Sequence, residues 1–224
     1  MTSLETPAPP TKELVGVQIR ATWAQIALAT VILAQLALIW AGLEDVALVQ
    51  QMQRGSQPTP SEINGLLALL LRAQAAALGT GIFSIVTFCI WYYAAYGLAF
   101  RESPSRTIGS GAAVSSFFIP VLNLIKPYEL TVALWKAGDA DRTKREPWLV
   151  RWWWGTWLIA VLLGAFVAVG GSDDDTLDQL LVWDWMGIVS AGIRIAAALL
   201  AIALIRSVVD SLQRTRSLDA VITV

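Results

Sequence analysis

The chain has 224 residues, 56% of them hydrophobic and 15% charged, where soluble domains carry about 25% charged residues. Its net charge of −1 offers no field to gather nucleic acid. With no histidine and a single cysteine, Cys89 in an apolar run, it lacks the commonest general base and metal ligand and cannot form an intrachain disulfide. Eleven tryptophans suit a chain whose rings sit where apolar surroundings meet water, and the composition as a whole is that of an integral membrane protein.

Residues 1–12, beginning MTSLETPAPP, read as a disordered cytoplasmic tail. They are not a signal peptide, because no uncharged core precedes Arg20. A helix needs about 20 apolar residues to cross the ~30 Å hydrocarbon core. Four stretches qualify, at about 21–43, 78–100, 149–170 and 185–209. Between the first two, EDVALVQQMQRG stays helix-forming up to Gly55, SQPTPSE turns, and INGLLALLLRAQ runs on. Thr59, Pro60 and Glu62 fit a capping box with proline at the first helical position. A helical hairpin over 44–77 is therefore expected to protrude on the outer side. Val46, Val49 and Gln53 share a helical face that meets solvent or a partner. The leucine excess of LLALLL suggests a second copy of the chain or another membrane protein as that partner. Gly79 and Gly81 read as packing or kink sites. The expected organisation is one membrane domain over 13–218, followed by a tail over 219–224.

The stretch 108–137 decides the threading. If it does not cross, four spans leave Arg54 and Arg72 outside, Arg194 within a span, and every other Lys and Arg on the cytoplasmic side. A fifth crossing leaves more basic residues outside. The positive-inside rule therefore selects four spans with both termini cytoplasmic. The fold class is all-α: a polytopic membrane bundle of four transmembrane helices plus a proline-broken re-entrant or interfacial segment.

The break lies in FFIPVLNLIKPYEL, residues 117–130. Pro120 removes the amide that would bond the Ser116 carbonyl, and Pro127 does the same to Asn123. Ile119 and Lys126, each before a proline, are pushed from the helical region. The expectation is a short helix near 110–118, a broken middle, and a helix from Pro127 to Ala137 that stops at Gly138. Tyr128, Thr131, Val132 and Trp135 fall on one face of that helix. Non-helical backbone at membrane depth must be satisfied by protein or by a wet cavity. Asn123, helped by Ser115 and Ser116, serves the freed carbonyls in one reading. In the other, Pro120, Asn123 and Pro127 line a substrate or ion site, as in broken-helix transporters.

Three stretches together, FCIWYYAAYGLAF (88–100), SFFIPVLNLIKPYELTVALWKAG (116–138) and WLVRWWWGTWLIAVLLG (148–164), resemble a bacterial membrane family known as domain of unknown function 4328. Its central pattern, aromatic-F-I-P-x-x-N-L-x-x-P-Y, falls here on Phe118, Ile119, Pro120, Asn123, Leu124, Pro127 and Tyr128. The resemblance is fullest over about 80–165. It implies a four-helix membrane domain in the bacterial cytoplasmic membrane, and it carries no activity with it.

No catalytic, cofactor-binding or metal-ligating motif stands in the chain: no H-E-x-x-H, no G-x-S-x-G, no Walker lysine loop and no paired cysteines. The GSGAA of 109–113 lacks a phosphate-binding context. Asp173–Asp175 lack the alternating spacing of a calcium loop and read as a solvated loop that caps the fourth span's helix. Arg194, inside the fourth span, either snorkels outward or pairs within the bundle. Gly187, Ala191, Ile195 and Ala198 run down one face of that span and predict close helix packing. The RWWWGTW run, 151–157, reads as an interfacial anchor, and Lys144–Arg145 as a small basic patch near anionic lipid.

Two functions of different kinds follow. The first is a non-catalytic membrane protein that packs in the bilayer with a partner or with itself. The second is a small-solute or ion transporter or channel component built on the Pro120–Asn123–Pro127 break. An enzyme ranks last, since no nucleophile or proton-transfer group has a visible partner. The residues singled out are Pro120, Asn123, Pro127, Tyr128 and Arg194. The partners expected are the lipid bilayer and another membrane chain, with no cofactor and no nucleic acid.

Overall fold

The computed structural model describes residues 12–101, 108–137, 147–170 and 176–222, with side chains through 215. Every element among them is helical. In chain order they are α1 (Lys12–Gln53), α2 (Pro60–Ala99), α3 (Ser110–Ser115), a 3₁₀ turn (Leu122–Leu124), α4 (Lys126–Lys136), α5 (Trp148–Val169) and α6 (Leu177–Ile222). Four of these, α1, α2, α5 and α6, are long and apolar enough to cross a membrane, and they contain the four apolar stretches read from the sequence. The expected tails at 1–12 and 219–224 and the cap at Asp173–Asp175 fall largely outside the described residues. The last helix nevertheless runs to Ile222, past residue 218.

Helices α1 and α2 have 42 and 40 residues. At 1.5 Å per residue each is about 60 Å long, twice the ~30 Å hydrocarbon thickness. The turn between them is made by local chemistry. Gly55 takes φ +86°, its N–H donates to the Met52 carbonyl at 3.0 Å, and the Ser56 N–H donates to Gln51 at 3.1 Å. Together these form the Schellman close of a helix. Thr59 then opens α2 as predicted: its N–H donates to Glu62 Oε2 at 2.7 Å, and the Glu62 N–H returns to Thr59 Oγ1 at 3.3 Å.

The chain forms two compact units. One takes Met1–Ile26, Ile85–Trp152 and Ile202–Val224; the other takes Ala27–Ser84 and Trp153–Ala201. In the second unit the Val46–Val49–Gln53 face has found its partner within the chain. Val46 and Val49 are buried, and Gln53 Nε2 donates to Asp178 Oδ1 of α6 at 2.7 Å. This is possible because α6 begins at Leu177, well before the apolar run at 185. The signal that starts it there is a second capping box. The Thr176 N–H donates to Gln179 Oε1 at 2.7 Å, and the Gln179 N–H donates to Thr176 Oγ1 at 3.4 Å.

Small residues let α1 and α6 approach. Ala27, Ala34 and Ala41 are buried on α1, and Ala191, Ala197, Ala198 and Ala201 on α6. A Cβ placed on Gly42 would stand 3.0 Å from Ile188. Of the face predicted on α6, Ala191 and Ala198 are buried and Ile195 is half-buried, whereas Gly187 meets open space. Gly79 and Gly81 also meet open space and sit in an uninterrupted α2, so neither is an intrachain packing contact.

Candidate functional site

The first unit holds the broken segment. Its foundation is an aromatic ladder on α2, where Phe88, Tyr92, Tyr96 and Phe100 recur every fourth residue and stack on one face. Ring centroids lie 5.8 Å apart for Phe88–Tyr92, 6.1 Å for Tyr92–Tyr96 and 4.7 Å for Tyr96–Phe100. Helix α3 starts beside the end of this ladder, where a Cβ on Gly97 would come within 3.1 Å of Ser110 Oγ. Phe117 then sets its edge on Tyr92 at 5.2 Å and on Phe88 at 5.9 Å. Between these contacts the chain passes nine positions along α2, about 13 Å.

Helix α3 ends at Ser115, earlier than the expected 118. Ser115 Oγ donates to the Ala112 carbonyl at 3.0 Å and Ser116 Oγ to Ala113 at 2.7 Å. The two hydroxyls thus serve carbonyls of α3 itself rather than those of Ser116 and Asn123 that the prolines free, and the helix ends before Pro120 is reached. The middle is a set of turns, with the Asn123 N–H donating to the Ile119 carbonyl at 2.7 Å. Helix α4 starts at Lys126, with Pro127 in its first turn. This corrects the expectation that Lys126 stays outside the helix: first-turn amides have no intrahelical acceptor, so proline costs nothing there. The last residue, Ala137, turns extended at ψ 130°; Gly138 lies outside the described residues.

The buried face of α4 is Pro127, Leu130, Thr131, Leu134 and Trp135; it shares Thr131 and Trp135 with the face read from the sequence, while Tyr128 and Val132 lie at its edge, half-buried. Thr131 Oγ1 meets Tyr92 OH at 3.3 Å, Trp135 Nε1 donates to Ser207 Oγ of α6 at 3.2 Å, and Ser211 Oγ donates to the Ala137 carbonyl at 2.9 Å. Aromatic area and these hydrogen bonds clamp α4 between α2 and α6.

The predicted residues are therefore placed differently from one another. Pro127 is buried, Tyr128 is half-buried and Pro120 is exposed. Asn123 carries an Oδ1 that is buried without a hydrogen-bond partner, so it does not serve as internal glue through that atom. Arg194 belongs to the other unit, where its guanidinium lies against Gly164 of α5. Around Asn123 runs a strip of exposed apolar side chains: Phe118 at 62%, Val121 at 77%, Leu124 at 57% and Ile125 at 59% exposure.

A family described as a domain of unknown function, DUF4328, matches residues 54–210, well over half of the chain. The chain belongs to this family. The DUF4328 match takes in the turn after α1, all of α2 through α5 and most of α6, and so contains the aromatic ladder and the broken segment whole. No curated protein and no solved structure matches the chain.

Two features of this DUF4328 chain lie beyond what sequence reading singled out. The ladder had a signal, the four-residue spacing of aromatics from Phe88 to Phe100. The second feature had none: Asp45 of α1 and Asp184 of α6 meet carboxyl to carboxyl, a pairing across 139 positions that only the fold creates. Both lie just outside the apolar runs 21–43 and 185–209.

Proposed function

We propose that this DUF4328 protein is a multi-pass protein of the bacterial cytoplasmic membrane with four spans and both termini cytoplasmic. Its segment 108–137 dips into the bilayer from the cytoplasmic side and returns, and its role is non-catalytic: packing in the membrane with a partner chain or with itself. The observation that carries this reading is the exposed strip from Phe118 to Ile125. Contiguous apolar surface of this kind is costly in water and free of cost in hydrocarbon. The contacts of Ser110 beside Gly97 and of Phe117 against Phe88 supply the depth. Exposed tryptophans agree with it. Trp23 and Trp40, at 55% and 63% exposure, stand seventeen residues apart on α1. That spacing is about 25 Å along a helix, close to the distance between the two interfaces of a ~30 Å core.

Packing is favoured over transport because the segment's inner side is filled. Tyr92, Tyr96 and Leu134 are at most 2% exposed. One observation supports the transporter reading, the buried and unpartnered Asn123 Oδ1.

Topology is tested by single cysteines at Lys126 and Asp174 in a Cys89→Ala background, labelled in intact cells and in inverted vesicles. Lys126→Cys is expected to react from the cytoplasmic side and Asp174→Cys from the outer side. Reaction of both from one side overturns the threading. Asn123→Leu divides the two functions: a well-folded variant that has lost a solute flux present in the wild type defeats the packing reading.

A further inference from the structure

In the unit that carries the broken segment, a groove of about 350 Å³ lies between the end of α2 and the first two turns of α4. Tyr96, Phe100, Leu130 and Ala133 line it, and Lys126 and Glu129 stand in its wall. Tyr96 and Phe100 occupy the end of the apolar run 78–100, so the groove sits where the membrane reading puts the cytoplasmic interface. Lys126 Nζ and Glu129 Oε2 are 2.7 Å apart, with side chains 51% and 52% exposed. An exposed pair of this kind holds weakly and yields to a ligand that satisfies both charges. In the turns that lead into Lys126, Val121, Leu124 and Ile125 present bare apolar surface.

We propose that this groove binds the headgroup of an amine-bearing phospholipid, its phosphate on Lys126, its ammonium on Glu129, and its acyl chains over Val121, Leu124 and Ile125. Three features fit that occupant together. The charges are opposite, adjacent and accessible, as a headgroup with both signs requires. Tyr96 and Phe100, buried in the ladder, give the groove an apolar wall behind the charged pair. The apolar strip continues from the charged end, as acyl chains continue from a headgroup. Glu129 also supplies discrimination, because it repels a lipid whose headgroup is anionic and lacks the amine. The inference rests on the membrane reading above.

The test uses the full chain in detergent, offered phosphatidylethanolamine and phosphatidylglycerol in equal amounts, with bound lipid read by native mass spectrometry. The wild type is expected to retain the ethanolamine lipid over the glycerol lipid by about tenfold. Glu129→Gln is expected to abolish that preference, and Lys126→Gln to lower retention of both lipids, while Lys126→Arg keeps the wild-type pattern. Unchanged thermal melting shows that each variant is folded. Equal retention of both lipids by the wild type, or wild-type retention and preference in Glu129→Gln and Lys126→Gln, overturns the site. Labelling of Lys126→Cys from the outer side overturns the membrane reading itself, whereas lipid indifference with correct labelling overturns only the groove.

Discussion

The Tyr92 and Thr131 hydroxyls meet 3.3 Å apart with both side chains at most 1% exposed. This contact joins α4 to the aromatic ladder of α2 through a buried polar pair inside an aromatic wall. Tyr92→Phe leaves Thr131 without its partner and is expected to cost about 1–2 kcal/mol, read by thermal unfolding in detergent. Thr131→Val added to Tyr92→Phe should recover part of that loss, since an apolar pair leaves nothing unsatisfied. Additive losses in the double variant would show that the hydroxyls do not interact.

The turn between α1 and α2 separates backbone strain from side-chain capping. Gly55→Ala forces a Cβ into φ +86° and is expected to destabilise the turn by about 1–2 kcal/mol. Thr59→Ala removes the cap of α2 and is expected to cost about 1 kcal/mol. Hydrogen exchange should speed up at Ser61–Leu66 in the second variant and leave α6 unchanged. Slow exchange in both variants contradicts the local account.

At Asp45 and Asp184, two carboxyls in contact cannot both carry charge without repulsion. Asp184→Asn replaces one of them with an amide that donates to Asp45. It is expected to raise stability by about 1 kcal/mol, roughly 2–4 °C in melting temperature, at pH 8. The gain should shrink at pH 5, because burial and the neighbouring Asp45 push the Asp184 carboxyl up to about 6 and its protonation relieves the wild-type repulsion. An equal gain at both pH values would point to another cause.

Glycine contacts give a paired steric test. Gly42→Leu drives a side chain into Ile188 and is expected to cost about 1–3 kcal/mol. Gly79→Leu meets open space within the chain and should leave the unfolding of the isolated chain unchanged. If Gly79→Leu instead changes the oligomeric state seen by light scattering, the open face of α2 is where a second copy packs.

Much of the fold is written in local sequence. Four apolar runs, the Thr59–Glu62 cap and the prolines of 117–130 act through neighbouring atoms, by desolvation, a freed amide or a missing donor. Such effects are readable residue by residue. The Thr176–Gln179 cap is equally local, yet the acidic run before it and the apolar run after it draw attention to themselves, and α6 starts earlier than hydropathy indicates. The face of α4 is different, because periodicity places Tyr128 and Leu130 about equally well and the ladder of α2 decides which turns inward.

Composition and hydropathy by themselves determined that this chain is helical, that four segments are fit to cross a bilayer, and that the stretch around Pro120 and Pro127 cannot be one straight helix. Each follows from the solvation of a backbone or side chain beside its own neighbours. Tertiary structure alone decided that Gln53 finds Asp178, that Asp45 meets Asp184, and that Lys126 and Glu129 border an aromatic groove. Those relations join positions far apart in the chain, and only the packing of α1, α2, α4 and α6 brings them within reach.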